Sequence, residues 1–79
     1  MTRLNNMDAE LLEFIVKPSS KVANKRIVDL DFPRSAIIGG IIRNGEGQIA
    51  LGNFQIKPGD RAVICCLPHS IGKVEKMFL

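Results

Sequence analysis

Two apolar runs rich in β-branched residues constrain the fold of this chain more than any other feature. The first spans Ala36–Arg43 and the second spans Arg61–Leu67. Short runs of this composition between turn residues are typical of buried strands. Asn44-Gly45-Glu46-Gly47 follows the first run with residues that accept a positive φ, and Pro58-Gly59 precedes the second. The pattern predicts a small antiparallel sheet.

Four further patterns complete the predicted order of elements. At 12–16, Leu, Phe and Val occupy every second position, which predicts a first strand with one core face. A short, irregular helix is predicted over 22–32, where Pro33 ends it. A third short strand is predicted at 49–51, and apolar residues every three or four positions predict a closing helix at 71–78. The predicted fold class is therefore α+β: a small β-sandwich-like antiparallel sheet with a short helix after the first strand and a C-terminal helix.

The composition indicates how this sheet is covered. A chain of 79 residues has room for one domain, and a core of this size is often marginal. Hydrophobic residues make up 46% of the chain and aromatic residues only 5%, so the core must be aliphatic. Because Ala36–Arg43 is apolar on both faces, we expect one face to pack on the core and the other on a second copy. The sequence predicts a homodimer.

The charged residues argue against a nucleic-acid polymer as partner. Eleven basic and eight acidic residues are spread along the chain, and no basic run is longer than Lys25-Arg26. The chain also has no Tyr or Trp on which bases could stack. No stretch reaches the ~18 apolar residues of a membrane span, and Met1–Glu10 has no apolar signal core. We therefore expect a soluble, intracellular protein.

Cys65, Cys66 and His69 are the residues that could carry chemistry. Neighbouring residues of a strand point to opposite faces, so the two thiols are poorly placed to bind one metal ion. Reduced, buried thiols fit a cytosolic protein. A nucleophilic pair of a Cys with His69 would need an orienting third group. The sequence predicts no enzyme, no metal site and no cofactor, while a small thiol enzyme stays open as an alternative.

The ordered set of segments also resembles a known family. The resemblance is carried by Leu12-Glu13-Phe14-Ile15-Val16, Lys25–Pro33, Ala36–Arg43, Lys57–Ile64 and Val74–Phe78. In this order they are similar to the C-terminal regulatory domain of Trk-type potassium-uptake proteins, also called the C-terminal RCK domain (regulator of potassium conductance). The resemblance covers residues 11–79. Residues 1–10 are expected to be the remnant of a linker, and the chain to be the last domain of a longer protein.

The resemblance implies a non-catalytic regulatory domain of a cytosolic subunit that controls potassium uptake. Such a domain would lie in the cytoplasm, at the inner face of the membrane through its transporter partner. The implied partners are a second copy of the chain, an N-terminal nucleotide-binding domain of the same full-length protein and a membrane potassium-transporter subunit. In some relatives the groove of the dimer binds a small anionic ligand, in several cases a cyclic dinucleotide.

By the same resemblance, Ile37, Ile38, Ile42 and Arg43 are the candidate ligand contacts, because matching aliphatic and basic residues line the groove in relatives. From the residues alone, Arg43 is either an anion contact or a solvated strand end. Asp60 is expected to bind backbone amides of its own turn. This chain has Gly39 and Gly40 on a strand where relatives often have bulkier residues, so the resemblance leaves open a groove shaped for another ligand and an empty groove. A purely structural dimerisation domain without a ligand therefore stays open.

Overall fold

Four antiparallel strands form one sheet. The computed structural model describes residues 8–79. In chain order, its elements are β1 (Glu10–Ile15), a 3-10 turn (Ile27–Asp29), β2 (Ala36–Arg43), β3 (Glu46–Gln48), β4 (Arg61–Cys66), a 3-10 turn (Pro68–Ser70) and helix α1 (Ile71–Met77). The spatial order of the strands is β1-β4-β2-β3. The predicted linker falls mostly on residues 1–7, outside the described residues, and Glu10 already belongs to β1.

The reversal between β2 and β3 is the tight turn that the sequence predicts. Asn44 and Gly45 have φ values of 52° and 80°, as a two-residue hairpin requires. Gly47 lies in β3 rather than in the turn. No helix follows these glycines, so they do not form a dinucleotide-binding loop, which must open a helix.

A β-bulge divides β2 near its middle. The register of β2 against β4 shifts between Ile38, opposite Ile64, and Gly40, opposite Val63. Gly39 is the extra residue, and a bulge of this kind turns the following side chains. Residues directly opposite each other in an antiparallel pair share a face, so Ile38 lies on the core face and Gly40 on the other face.

The core lies on one face of the sheet, between the strands, the two long connections and α1. Its buried hydrophobic residues are Val16, Val22, Ile38, Ile41, Ile56, Ala62, Ile64, Cys66, Val74 and Phe78. Leu12 and Phe14 pack against them as predicted. The rings of Phe14 and Phe78 stack with centroids 4.7 Å apart, which fixes the end of α1 against β1. Each fully buried aliphatic side chain contributes about 1.5–3 kcal/mol.

The two long connections are irregular but ordered, because they hydrogen-bond to each other. The amide of Asn24 donates to the carbonyl of Ile56 at 2.7 Å, and the amide of Ile56 donates to Lys25 at 2.9 Å. The predicted short helix over 22–32 is a set of turns ending in the 3-10 turn Ile27–Asp29. These cross-connections replace helical hydrogen bonds.

The third strand lies three residues earlier than the sequence predicts. β3 is Glu46–Gln48, whereas Ile49 and Leu51 follow it and are 76% and 65% exposed. The prediction was wrong because the hairpin turn takes only two residues, so pairing with β2 begins directly after Gly45. Among the described helices, none has the length and hydrophobicity needed to cross a bilayer.

Candidate functional site

The face of the sheet opposite the core is mostly apolar, and nothing in residues 8–79 covers it. We call it the open face; its apolar side chains are Leu11, Ile15, Ile37, Ile42, Ile49, Val63 and Cys65. It also carries one exposed ion pair, between Glu13 and Arg61 at 3.1 Å. The register places Leu11 and Ile37 on either side of Cys65. Leu11 is 75% exposed and Ile37 is 64% exposed. Side chains of this size are usually removed from water, so the open face has the character of a binding surface.

A shallow cavity of about 290 Å³ lies on this face where β2, β3 and β4 meet. Its lining is Gly39, Gly40, Ile41, Ile42, Gly47, Gln48, Ile49 and Val63. A Cβ atom at position 40 would lie 3.2 Å from the carbonyl oxygen of Gln48, a distance at which β3 would have to move. Because the glycines have no side chain, backbone atoms form the floor of the cavity, and aliphatic side chains flank it.

The structure divides the four predicted contacts between the two faces of the sheet. Ile37 and Ile42 lie on the open face, as the register with Cys65 and Arg61 shows. Ile38 is 5% exposed and belongs to the core. Arg43 ends β2 and contacts the turn before β4, away from the open face. Two of the four residues are thus brought together on the open face, and Ile38 and Arg43 are not.

Arg43 makes a two-point contact with Asp60. Its Nε donates to Oδ1 of Asp60 at 2.8 Å, and its Nη2 donates to Oδ2 at 2.7 Å. Nη2 also donates to the carbonyl of Gln55 at 2.9 Å, and the guanidinium lies 4.9 Å from the ring centroid of Phe54. The hydrogen bond with Asp60 raises the pKa of Arg43, although partial burial opposes this shift. Arg43 therefore ties β2 to the segment before β4.

Asp60 is buried, with 2% of the residue exposed, and it holds its own turn together. It accepts a hydrogen bond from the backbone N–H of Lys57 at 2.8 Å, which confirms the predicted turn role. Burial raises the pKa of the Asp60 carboxyl, but the bonds from Arg43 and Lys57 and their positive charges outweigh this, so the pKa is lowered. The carboxylate is thus held in its charged form inside the fold.

Sequence reasoning missed the pairing of Arg43 with Asp60. The two residues are 17 positions apart, so no local spacing connects them. One signal was available in the sequence: Arg43 ends one apolar segment and Asp60 directly precedes another. A carboxylate that is buried beside such segments needs a cation. A second cavity, of about 360 Å³, lies at this point and is lined by Arg43, Asn44, Lys57, Pro58, Gly59 and Asp60.

The thiols and the histidine do not form a hydrogen-bonded pair within residues 8–79. Cys66 is buried, and its thiol donates to the carbonyl of Leu67 at 3.1 Å. Cys65 is half-buried on the open face, so the two thiols do point to opposite faces. His69 lies in the second 3-10 turn and is exposed. In the same part of the chain, no three His, Cys, Asp or Glu side chains are grouped to hold a metal ion.

The relatives of this chain are potassium-uptake proteins. It is 31% identical over 78 residues to Trk system potassium uptake protein TrkA homolog 1 of Methanosarcina mazei, a match that covers 99% of this chain and 17% of that protein. Trk system potassium uptake protein TrkA of Halomonas elongata is 32% identical over 74 residues, covering 89% of this chain and 16% of that protein. The chain therefore spans about a sixth of the length of these relatives.

The fold agrees with that of a solved RCK domain. The structure of an RCK domain with cda has a TM-score of 0.73 to this chain at 23% identity, and the match covers 87% of this chain and 97% of that one. The sequence model of the TrkA-C domain matches residues 11–79. This range includes α1 and all four strands, except for Glu10, the first residue of β1. The chain therefore belongs to the TrkA-C domain family.

Proposed function

We propose that this domain is a non-catalytic regulatory module of a Trk-type potassium-uptake subunit, and that it acts by pairing with a second copy through the open face. The uncovered apolar sheet face is the observation that carries this proposal. The names of the relatives support the transport context. In the full-length protein the domain would follow an N-terminal nucleotide-binding domain, lie in the cytoplasm and act on a membrane potassium-transporter subunit.

The pair would bind a small anionic ligand, such as a cyclic dinucleotide, next to the open face. The matching fold of an RCK domain with cda supports this part of the proposal. Ile37 and Ile42 would contact the ligand directly, and Ile38 would hold their strand in place from the core. Arg43 lies on the other face, at the end of β2, so it would contact only a part of the ligand that extends past the end of that strand. Within residues 8–79 its Nη1 has no hydrogen-bond partner and would be the donor there, since Asp60 and Gln55 occupy the other nitrogens. Ligand binding would favour one arrangement of the attached domains over another.

A purely structural dimerisation domain is the second candidate. The internal contacts of Arg43 favour it, because they give this residue a role that needs no ligand. In that case the dimer contact alone would set the arrangement of the attached domains. The two candidates share the interface and differ only in the ligand.

The interface is tested by sedimentation equilibrium of three proteins. We expect the wild type to be a dimer and Ile37→Glu to be a monomer, because the new carboxylate would have to be buried against the partner. Val28→Glu is the matched control: Val28 is 63% exposed, as Ile37 is at 64%, but lies outside the sheet. It should remain a dimer. A wild type that stays monomeric at all concentrations would refute the proposal.

The ligand is tested by thermal shift with cyclic dinucleotides. A ligand at about a hundred times its dissociation constant adds ~2.7 kcal/mol of stability. For a domain of this size, that raises Tm by roughly ten degrees or more. A selective shift supports the ligand-binding module. A dimer without any shift supports the structural dimerisation domain.

A further inference from the structure

A groove between α1 and the connection that follows β1 shares no lining residue with the open face. We call it the lysine groove; it is lined by Lys21, Lys25, Asp29, Leu30, Asp31, Lys73, Lys76 and Met77. Its volume is about 390 Å³. Because α1 packs on the core face of the sheet through Val74, the groove is remote from the proposed dimer contact.

The basic residues of the chain are otherwise dispersed, but here they converge. Four of the six lysines line this groove, and only Lys17 and Lys57 lie elsewhere. Lys73 and Lys76 are one helical turn apart on α1 and share its exposed side, while Lys21 and Lys25 come from the opposite wall. Two separate segments therefore bring four lysines to the lining of one groove.

These charges are not neutralised within the fold. None of the four lysines forms an ion pair in residues 8–79. Of the two carboxylates in the lining, Asp29 is bonded to Arg26 at 3.1 Å, which leaves only Asp31 without a cation. The groove thus carries an excess of positive charge, which favours a ligand with several negative charges.

The floor of the groove is apolar, so the groove favours a ligand that has an apolar part as well as negative charge. Leu30 and Met77 are half-buried between the lysines. A methionine sulfur and an aliphatic side chain make favourable contacts with a flat aromatic ring. The Asp31 carboxylate can only accept hydrogen bonds, so it suits a ligand that carries hydroxyl or amino groups. A ring, a sugar and phosphates in one molecule meet all three conditions.

We propose that the lysine groove binds a nucleoside polyphosphate. The phosphates would lie between the four lysines, the base on Leu30 and Met77, and a hydroxyl or amino group would donate to Asp31. The volume falls within the range of small-ligand sites, about 300–1,000 Å³. This site is separate from the anion site proposed beside the open face, and it would give the domain a second input.

The test is calorimetric titration of ADP into the domain, with variants matched in charge. Lys73→Gln/Lys76→Gln should weaken ADP binding about tenfold, since each lost ammonium removes a charge-assisted contact with phosphate. The control is Lys17→Gln/Lys57→Gln, which removes the same charge from the two lysines outside the groove. It should leave the dissociation constant within about twofold, because distant surface charges are screened at 0.15 M salt. Thermal melts of each variant establish that it is folded.

Four outcomes would overturn the proposal. The first is no heat of binding with ADP at low salt. The second is an equal weakening of ADP binding in the two double variants, which would mean that the net charge of the domain alone determines the affinity. The third is pyrophosphate binding as tightly as ADP. The fourth is binding of the domain only to vesicles of equal parts phosphatidylcholine and phosphatidylglycerol, since neither pyrophosphate nor a lipid headgroup needs the apolar floor. Because Ile37→Glu leaves the groove intact, ADP binding in that variant separates this site from the open face.

Discussion

Arg43 and Asp60 form the best-defined polar contact of this domain, with two hydrogen bonds of 2.8 and 2.7 Å between guanidinium and carboxylate. The Asp60 side chain is 3% exposed and the Arg43 side chain 27%, so the pair lies at the border of the core. It joins the end of β2 to the turn before β4, and these are neighbouring strands. The same arginine is the residue for which the sequence suggests an anionic ligand, so its structural and binding roles must be separated by experiment.

Arg43→Ala should destabilise the domain by about 3 kcal/mol, because it leaves a buried carboxylate without its cation. That is a large part of the ~5 kcal/mol expected at the lower end for small proteins. Urea denaturation followed by circular dichroism measures the change in the free energy of unfolding. A loss of ligand binding in Arg43→Ala would therefore not separate a binding role of Arg43 from its structural role.

Arg26→Ala is the control for this substitution. Arg26 also pairs with an aspartate, Asp29 at 3.1 Å, but both side chains are more than half exposed. Exposed pairs of this kind contribute about 0–1 kcal/mol. If Arg43→Ala costs no more than Arg26→Ala, the pair with Asp60 is not structural. Arg43→Lys, which keeps the charge but loses the two-point contact, should fall between them.

The free energy of unfolding should decrease as the pH falls, because the Asp60 carboxyl becomes protonated. Its pKa is lower in the folded state than the ~3.9 of an unfolded chain, so its contribution is fully present above that value. The contribution is lost as the pH falls from about 4 towards the folded pKa. Denaturation of wild type and Asp60→Asn should therefore differ most near neutral pH and converge in acid. A difference that stays constant down to about pH 2 would exclude this linkage.

The residues with strong local signals were predicted correctly. β2 has the predicted bounds, because β-branched residues fill it and turn residues end it on both sides. The exposed Lys73, Glu75 and Lys76 and the buried Val74 of α1 follow the predicted helical period. These elements depend on neighbours in sequence, and periodicity reports such neighbours directly.

The rest depends on contacts between distant residues. The connections after β1 and β3 are shaped by hydrogen bonds such as Asn24 to Ile56, which no periodicity reveals. The bulge at Gly39 determines which side chains of β2 lie on the open face. A shift of one residue moves every following side chain of the strand to the opposite face of the sheet. For this reason the candidate site is only partly assembled: Ile37 and Ile42 share a face, whereas Arg43 contacts the other side of the fold.

Two glycines should respond to alanine in opposite directions. Gly59 has a φ of 90°, so Gly59→Ala is strained although nothing lies within 4 Å of the new Cβ, and it should destabilise by about 1 kcal/mol or more. Gly72 lies in the first turn of α1 with open space around it, so Gly72→Ala should stabilise by at most about 0.5–1 kcal/mol, the value for a helix interior. Differential scanning calorimetry of both variants gives the signs. Two changes of the same sign would show that helix or turn conformation is not the deciding factor.

The two adjacent thiols should differ strongly in reactivity. Burial raises the pKa of the Cys66 thiol, and the neighbouring Cys65 adds to this, so Cys66 has little thiolate at neutral pH. Cys65 lies half-exposed on the open face and should react first with a disulfide reagent. Labelling of Cys65→Ala and Cys66→Ala at protein concentrations low enough for the domain to be monomeric measures each thiol without cover from a partner. Cys66 should react only as fast as the domain unfolds.

The histidine provides the control for this labelling. His69→Gln should leave the rate at Cys65 unchanged, because no hydrogen bond joins the two side chains within residues 8–79. Rates at Cys65 and Cys66 that are equal would place both thiols in contact with solvent and contradict the register of β4. A rate at Cys65 that falls severalfold in His69→Gln would instead indicate a thiolate activated by the imidazole, and would favour the thiol-enzyme alternative over a regulatory module.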